Sequence, residues 1–413
     1  DETQHHHGDA GQEGRARVGR EVSDAETGVC GGGSGGGGVL LRQEQVAGAA
    51  ALPRAAGSKV PLFGYAADNP VYRSSSGGAP ANVAGRTVSL AQALRDEGFS
   101  INETLQSALE GSGADRRVAS PTNGNSDIGE LEVGFYNNYQ NTFSEYGDAA
   151  IVMFARTGGE GIDLNTKDID GVSQLALHKD EQDLLKMIEN SGAFDKTVVL
   201  INSGYPMELG WLDEAKEGVD ACLWIGDPGM YGFAGVADLL SGAANPSGRL
   251  SDTYAANSMS APSMQNFGDI SYTNNADYKY IVAAEGIYVG YKYYETRYED
   301  AVLGRGNADG DAGIYMSSGD SWNYSEEVNY AFGYGLSYTS FTQELLGVDY
   351  DRATDTYTLR VPVTNTGDVA GHDVMPVYGQ QPYTDFHREH DLEQSAVQLV
   401  GIAKPPHFPR APP

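Results

Sequence analysis

A chain of 413 residues that is 40% hydrophobic can bury a sizeable core in two or three domains, and it holds no apolar run long enough to cross a membrane. With 57 Asp and Glu against 27 Lys and Arg, the formal net charge is −30, which argues against nucleic acid and anionic lipid as partners and suits a neutral substrate. The two cysteines, Cys30 in a Gly-rich stretch and Cys222 in the apolar run "VDACLWIG", give no reason to expect a disulfide.

Residues 1–57 read as a tail outside the fold. "CGGGSGGGG" has linker composition, and the three histidines at 5–7 fit a tag remnant or an unstructured segment. "DETQHHHGDAGQEG" lacks an apolar leader, and together with two thiols this predicts a cytoplasmic location. A short strand is predicted at "KVPLFGYA" (59–66), followed by the loop "DNPVYRSSSGGAPANVAGR". "TVSLAQALRDEGFSIN" reads as a helix with Leu90, Ala93 and Leu94 on one face. The strand "AAIVMFA" (149–155) comes next, then a helix over 177–192 with Leu184, Leu185 and Ile188 as its apolar face. "KTVVLINSG" (196–204) and "VDACLWIGDPG" (219–229) read as strands, and "GFAGVADLLSG" (232–242) as a helix. Continuous apolar strands alternating with helices predict an α/β fold, a mostly parallel sheet covered on both faces.

Residues 255–330 are rich in Asn, Ser, Tyr and Asp, and predict a long irregular excursion. From 331 the texture changes. Alternating apolar and polar residues in "TYTLRVPVTNTGDVAGHDVMPVYGQQP", with turn signals, predict an immunoglobulin-like β-sandwich reaching 405, and 406–413 form a Pro-rich tail.

In a parallel sheet, ligands bind beyond the carboxyl ends of the strands. "RTGGEG", "NSGYPMELGW" and "GDPGMYG" each follow a strand, so three Gly-containing loops are candidates for one rim. Glu160 stands among Gly158, Gly159 and Gly161, beside Arg156 and Asp163. A carboxyl on such pliable backbone suits general acid or base work if it is partly desolvated. By itself it equally fits a solvated surface turn. The loop has neither G-x-G-x-x-G nor a following "GK[ST]", and its carboxylate would repel phosphate. "NADGDAG" begins like a calcium loop with Asn307, Asp309 and Asp311, yet Ser318 stands where the twelfth-position glutamate belongs. His387 and His390 form a close pair with no third ligand nearby, and no G-x-S-x-G elbow is present.

Three motifs resemble one family. "NPSGRLSDTY" (245–254), "EGIYVGYKYYETRYED" (285–300) and "FGYGLSYTSF" (332–341) are similar to the non-barrel half of the glycoside hydrolase family 3 β-glucosidases, over about 58–405. The resemblance implies an α/β sandwich over 58–330 followed by a fibronectin type III-like β-sandwich over 331–405. In that family a separate (β/α)8 barrel carries an aspartate nucleophile, and a strand-end loop of the "SGEG" kind carries the acid/base. "RTGGEGIDL" matches that loop, so the resemblance implies that Glu160 is the general acid/base. Arg156 and Asp163 would bind substrate or orient the loop. "WIGDPGMYG" resembles a rim loop, which brings in Asp227 and Met230 as lining residues or as parts of a structural turn. Tyr294, Arg297, Tyr334 and Tyr338 are expected to pack between domains.

No barrel is visible, because the 57 residues upstream are far fewer than the roughly 250 one takes. "NSGYPMELGWL", "SMSAPSMQNFGD" and "SAVQLVG" look most like the subgroup in which the barrel comes last. The nucleophile is therefore unassigned. The implied activity is retaining hydrolysis of β-linked glucosides or oligosaccharides, with no cofactor and no metal. The alternatives are a non-catalytic carbohydrate-binding or accessory module and a half-enzyme that needs a separate barrel. A half domain of this kind would present an apolar interface, open to a barrel or to another copy of the chain.

Overall fold

A five-stranded sheet organises the first part of the chain. The computed structural model describes residues 38–46, 49–72, 87–113, 130–158, 164, 173–214, 218–265, 282–283, 285–304, 322–405 and 408–409. These residues fall into two compact units, one within Thr27–Ser260 and Ser325–Tyr338, the other within Ala261–Tyr324 and Thr339–Pro413.

The strands of the first unit that build its sheet and flank it include β1 (Val39–Gln43), β2 (Lys59–Val60), β3 (Leu62–Phe63), β4 (Ser100–Ile101), β5 (Ala150–Arg156), β6 (Thr197–Ser203) and β7 (Ala221–Trp224). Strands β3, β5, β6 and β7 pair in parallel in that spatial order, and β1 closes the far edge antiparallel to β7. Strand β2, separated from β3 only by Pro61, pairs in parallel with β4. The chain therefore steps from β2/β3 to β4 on one side and returns to β5 on the other. Such a reversal is where doubly wound sheets open a crevice beyond the strand ends.

The core explains why the strands read as unbroken apolar runs. All seven residues of β5 and of β6 are buried. Ile151, Met153, Val198, Leu200 and Leu223 face one hydrophobic cluster, and Val152, Phe154, Val199, Ile201 and Cys222 face another. Each face is covered by helices. The first cluster takes buried residues from α1 (Tyr65–Asp68), α2 (Leu90–Asp96) and α7 (Gly232–Ser241). The second takes them from α3 (Glu103–Glu110), α4 (Val133–Asn137), α5 (Lys179–Ser191) and α6 (Trp211–Glu214). Burying one Leu, Ile or Phe contributes about 1.5–3 kcal/mol, so two loaded faces favour the three-layer arrangement over any with one face in water. A short antiparallel pair, β8 (Tyr254–Ala255) with β9 (Val328–Tyr330), completes this unit.

The second unit is built from small antiparallel pairs: β10 (Phe341–Gln343) with β13 (Val363–Asn365), β11 (Gly347–Asp351) with β12 (Thr356–Arg360), and β14 (Met375–Gln380) with β15 (Val397–Ala403). Helix α8 (Tyr291–Ala301) lies against β15. The Ala396 N–H donates to Thr296 Oγ1 at 2.8 Å, and the Leu399 N–H to the Tyr291 hydroxyl at 3.0 Å. The fold class is the one expected, α/β with a mostly parallel sheet followed by antiparallel β structure, and no closed barrel occurs among the described residues.

Two expectations are corrected. The stretch 38–57 is not outside the fold. Val39, Leu40 and Leu41 are buried in β1, a strand hidden at the sequence level by the adjoining glycine tract. The excursion 255–330 is not irregular throughout. It contains the 11-residue helix α8, in which Tyr291, Tyr294 and Tyr298 recur at helical spacing in place of aliphatic residues. Tyr334 and Tyr338 serve the first unit internally: their hydroxyls donate to Leu41 O at 3.1 Å and Leu239 O at 2.7 Å.

Candidate functional site

The parallel register sets the carboxyl ends of β5, β6 and β7 side by side. Arg156 pairs with Ser203, and Ile201 with Trp224. The loops "RTGGEG", "NSGYPMELGW" and "GDPGMYG" thus leave the same edge of the sheet, next to the reversal between β3 and β5.

Side chains and backbone stitch this edge together. Asn202, fully buried, accepts from Val71 N–H at 2.7 Å and donates to Val71 O at 2.9 Å and Gly226 O at 2.7 Å. Trp224 Nε1 donates to Ser203 O at 2.8 Å. The 226–230 turn is tied further by Gly229 N–H to Tyr72 O at 2.7 Å and by Val88 N–H to Met230 O at 2.9 Å. Asp227 and Met230 are therefore both half-buried in a turn that the neighbouring loop holds in place.

Arg156 ends β5 and is 2% exposed. Its guanidinium makes a two-pronged pair with Glu181, both N–H···O distances being 2.7 Å. It also donates to Ala155 O at 3.0 Å, to Ala176 O at 2.7 Å and to the Gln174 carbonyl. A fork spent on protein partners in this way orients the chain and is not free to grip a sugar. Glu160 and Asp163 lie outside the described residues.

Two residues unmarked in the sequence stand at the same edge. Glu130, half-buried as a residue, accepts from Tyr65 N–H at 3.2 and 3.1 Å, from Leu131 N–H at 2.8 Å and from the Tyr136 hydroxyl at 2.7 Å. Burial outweighs these hydrogen bonds and pushes its carboxyl up to about 7. Asp68, at the end of α1, is also raised, first by burial and then by the charge of Glu110. Gly64 makes the turn out of β3 with φ 86°, and a Cβ there would lie 2.3 Å from Met153 O. Only glycine lets the chain come so close to β5.

Among the described residues no group of three His, Cys, Asp or Glu is gathered to hold a metal. His387 and His390 belong to α9 (Asp385–Glu389) and its cap in the second unit, where their Nδ1 atoms meet Thr384 and Phe386 O. Asn307, Asp309, Asp311, Ser318 and Cys30 lie outside the described residues.

The model of the glycosyl hydrolase family 3 C-terminal domain matches residues 38–338. The chain is similar to a β-glucosidase of Ruminococcus albus, 31% identical over 58% of this chain and 20% of that protein. It is also similar to β-glucosidase A of Butyrivibrio fibrisolvens, 29% identical over 63% of this chain and 30% of that one. Among solved structures, it resembles a β-glucosidase from Paenibacillus barengoltzii with TM-score 0.68 and 27% identity, covering 91% of this chain and 36% of that one. β-Glucosidase 3B from Thermotoga neapolitana, solved with α-D-glucose, gives TM-score 0.67 and 25% identity over 90% of this chain and 45% of that one. The chain thus spans 20–30% of these curated relatives, and less than half of either solved neighbour.

Proposed function

Because the chain belongs to glycosyl hydrolase family 3, we propose that it is the acid/base-bearing part of a β-glucosidase-type glycoside hydrolase, with Glu160 as the acid/base. The observation that carries this reading is the origin of the "RTGGEG" segment. It leaves the carboxyl end of β5, beside the reversal in strand order, in the chain position where the family's acid/base loop belongs.

Retaining glycosidases use two carboxyl groups about 5–5.5 Å apart. One attacks the anomeric carbon, while the other protonates the leaving oxygen and then takes a proton from water. Glu160 has the second role. The acid must hold its proton at working pH, which burial and a nearby anionic nucleophile both favour. The nucleophile belongs to a barrel, either in a separate chain or in a longer form of this one. Substrates are β-linked glucosides or oligosaccharides, in keeping with the glucose-bound neighbour from Thermotoga neapolitana. Asp227 and Met230 line the rim, and Arg156 and Asp163 orient the loop.

The domain assignment, an α/β sandwich over 58–330 and then a fibronectin type III-like β-sandwich over 331–405, belongs to the same proposal with two changes: the first domain extends back to include β1, and 261–324 goes with the second unit. So does the cytoplasmic location. Cys222 is a buried free thiol, and among the described residues no helix is long and apolar enough to cross a membrane.

A second reading is tested alongside the first. It is a half-enzyme or a carbohydrate-binding module that turns nothing over by itself. Release of nitrophenol from p-nitrophenyl β-D-glucoside separates the readings. Turnover lost in Glu160→Ala supports a complete site in this chain, and turnover unchanged in Glu160→Ala rejects the assignment. No turnover from the parent chain supports the half-enzyme, and adding a barrel-bearing partner then restores the comparison.

A further inference from the structure

One aromatic side chain of the first unit stands in solvent, at the edge from which the strand-end loops leave. Tyr231 is 57% exposed, and among the described residues it is the sole large apolar side chain of that unit left so open. It belongs to "GDPGMYG", the loop beyond the carboxyl end of β7. Its neighbours pack inward. Phe233, two positions on, is fully buried, and Tyr72 meets it edge-to-face with ring centroids 5.6 Å apart. The Tyr231 side chain takes part in no aromatic pair and no hydrogen bond among the described residues.

Single exposed apolar residues are common on protein surfaces. Two observations set this ring apart. The first is a fixed backbone. The 226–232 turn is held by Asn202 Nδ2 to Gly226 O at 2.7 Å, Gly229 N–H to Tyr72 O at 2.7 Å, Val88 N–H to Met230 O at 2.9 Å and Gly232 N–H to Pro228 O at 3.1 Å. The turn is therefore ordered before any ligand arrives, which lowers the entropy cost of binding to the ring. The second is position. Tyr231 is the N-cap of α7, where Ser, Thr, Asp or Asn would satisfy a helix N–H, and its side chain makes no cap hydrogen bond. A residue that neither caps nor packs departs from local preference, and such departures gather at functional sites.

We propose that Tyr231 is a stacking platform for one glucosyl ring of a β-linked oligosaccharide, and so a specificity-determining residue at the rim. A β-glucosyl unit carries its substituents equatorially, so axial C–H bonds leave both faces of the ring apolar. Such a face suits the π surface of a tyrosine, whose ring is apolar while its hydroxyl stays in water. The formal net charge of −30 favours a neutral ligand of this kind over an acidic one. The proposal deepens the β-glucoside reading of the chain and rests on it. Sequence alone did not mark Tyr231, because one tyrosine among 25 carries no signal until the others are seen to pack.

The test is sugar binding by the 413-residue chain and needs no turnover. Tyrosine ring carbons are labelled, and Tyr231 is assigned by the resonance lost in Tyr231→Leu. The probe is cellotetraose, and the control is its α-linked isomer maltotetraose, whose chain curves away from a flat surface. Cellotetraose is expected to shift the Tyr231 resonance saturably, with a midpoint in the millimolar range, and maltotetraose to shift it less. Calorimetry gives the affinity of the variants. Tyr231→Phe and Tyr231→Trp are expected to bind as the parent does, because the ring face makes the contact. Tyr231→Ala is expected to bind about tenfold more weakly or worse. Its urea midpoint is expected to stay in place, since the side chain it loses is exposed. A Tyr231 resonance that stays in place up to about 50 mM cellotetraose, far above a millimolar midpoint, overturns the proposal. So do equal shifts from both sugars, and so does full affinity in Tyr231→Ala. Failure of the acid/base reading appears separately, as full turnover in Glu160→Ala.

Discussion

Asn202 grips Val71 from both sides. Its Oδ1 accepts the Val71 N–H at 2.7 Å, and its Nδ2 donates to the Val71 carbonyl at 2.9 Å. A second Nδ2 hydrogen bond to Gly226 O, at 2.7 Å, makes this amide the joint between the loop beyond β3 and the turn beyond β7. Asn202→Leu leaves one backbone N–H and two carbonyls without this partner in a dry place. Each such loss costs about 1–3 kcal/mol, so a destabilisation of about 3 kcal/mol is expected, read from the urea midpoint. A variant within 0.5 kcal/mol of the parent, the usual range for about any exposed surface change, would remove Asn202 from this role.

Gly64 is irreplaceable for a different reason. With φ at 86° and Met153 O 2.3 Å from the place of a Cβ, alanine meets both a strained backbone and a clash. Gly64→Ala is expected to lose about 2–4 kcal/mol, mostly as faster unfolding and loss of amide protection at the ends of β3 and β5. Gly57→Ala serves as control, since it also has positive φ but nothing within 4 Å of its Cβ position. Its cost is expected to be that of the backbone alone.

Glu130 makes stability depend on pH with an unusual sign for a carboxylate. Burial raises its folded value to about 7, above the ordinary carboxylate range. Below the unfolded value both states hold the proton and the contribution is fully present. As pH rises toward 7 the unfolded chain releases its proton first, and stability falls. Glu130→Gln is expected to remove this decline, which is on the order of 2 kcal/mol between about pH 4.5 and 7.5 after allowance for partial exposure. Urea midpoints of parent and variant at several pH values measure it. Parallel curves would refute the prediction.

In a turnover-competent form, the loss in Glu160→Ala should depend on the leaving group. General acid catalysis contributes about 10²–10⁴-fold where the departing oxygen needs a proton. For p-nitrophenyl β-D-glucoside kcat/KM is expected to fall within that range. For the 2,4-dinitrophenyl glucoside, whose phenolate leaves unaided, the fall is expected to be much smaller. Equal losses on both substrates would point to a general disruption of the site.

Much of the first unit was legible because its strands are buried on both faces. "AAIVMFA" and "KTVVLIN" could only be central strands, and Leu184, Leu185 and Ile188 marked α5 by spacing alone. Strand β1 was missed because a glycine tract beside a short apolar run looks like linker. Helix α8 was missed because tyrosine supplies its repeating face. The ring of Tyr294 is buried all the same. Glu130 gave no signal, since nothing in "DIGELE" distinguishes one acidic residue from its neighbours until Tyr65 and Tyr136 close around it.

The sequence by itself determined the parallel α/β character, the order of its elements and the position of a carboxyl among glycines after a buried strand. Each depends on local composition and periodicity, which are written in neighbouring residues. Only the tertiary structure decided that β2/β3 lies between β4 and β5, that three strand-end loops share one edge, and that Arg156 faces Glu181 rather than solvent. Those relations join residues far apart in the chain. Their energy comes from burial and from hydrogen bonds that exist only once the layers have closed.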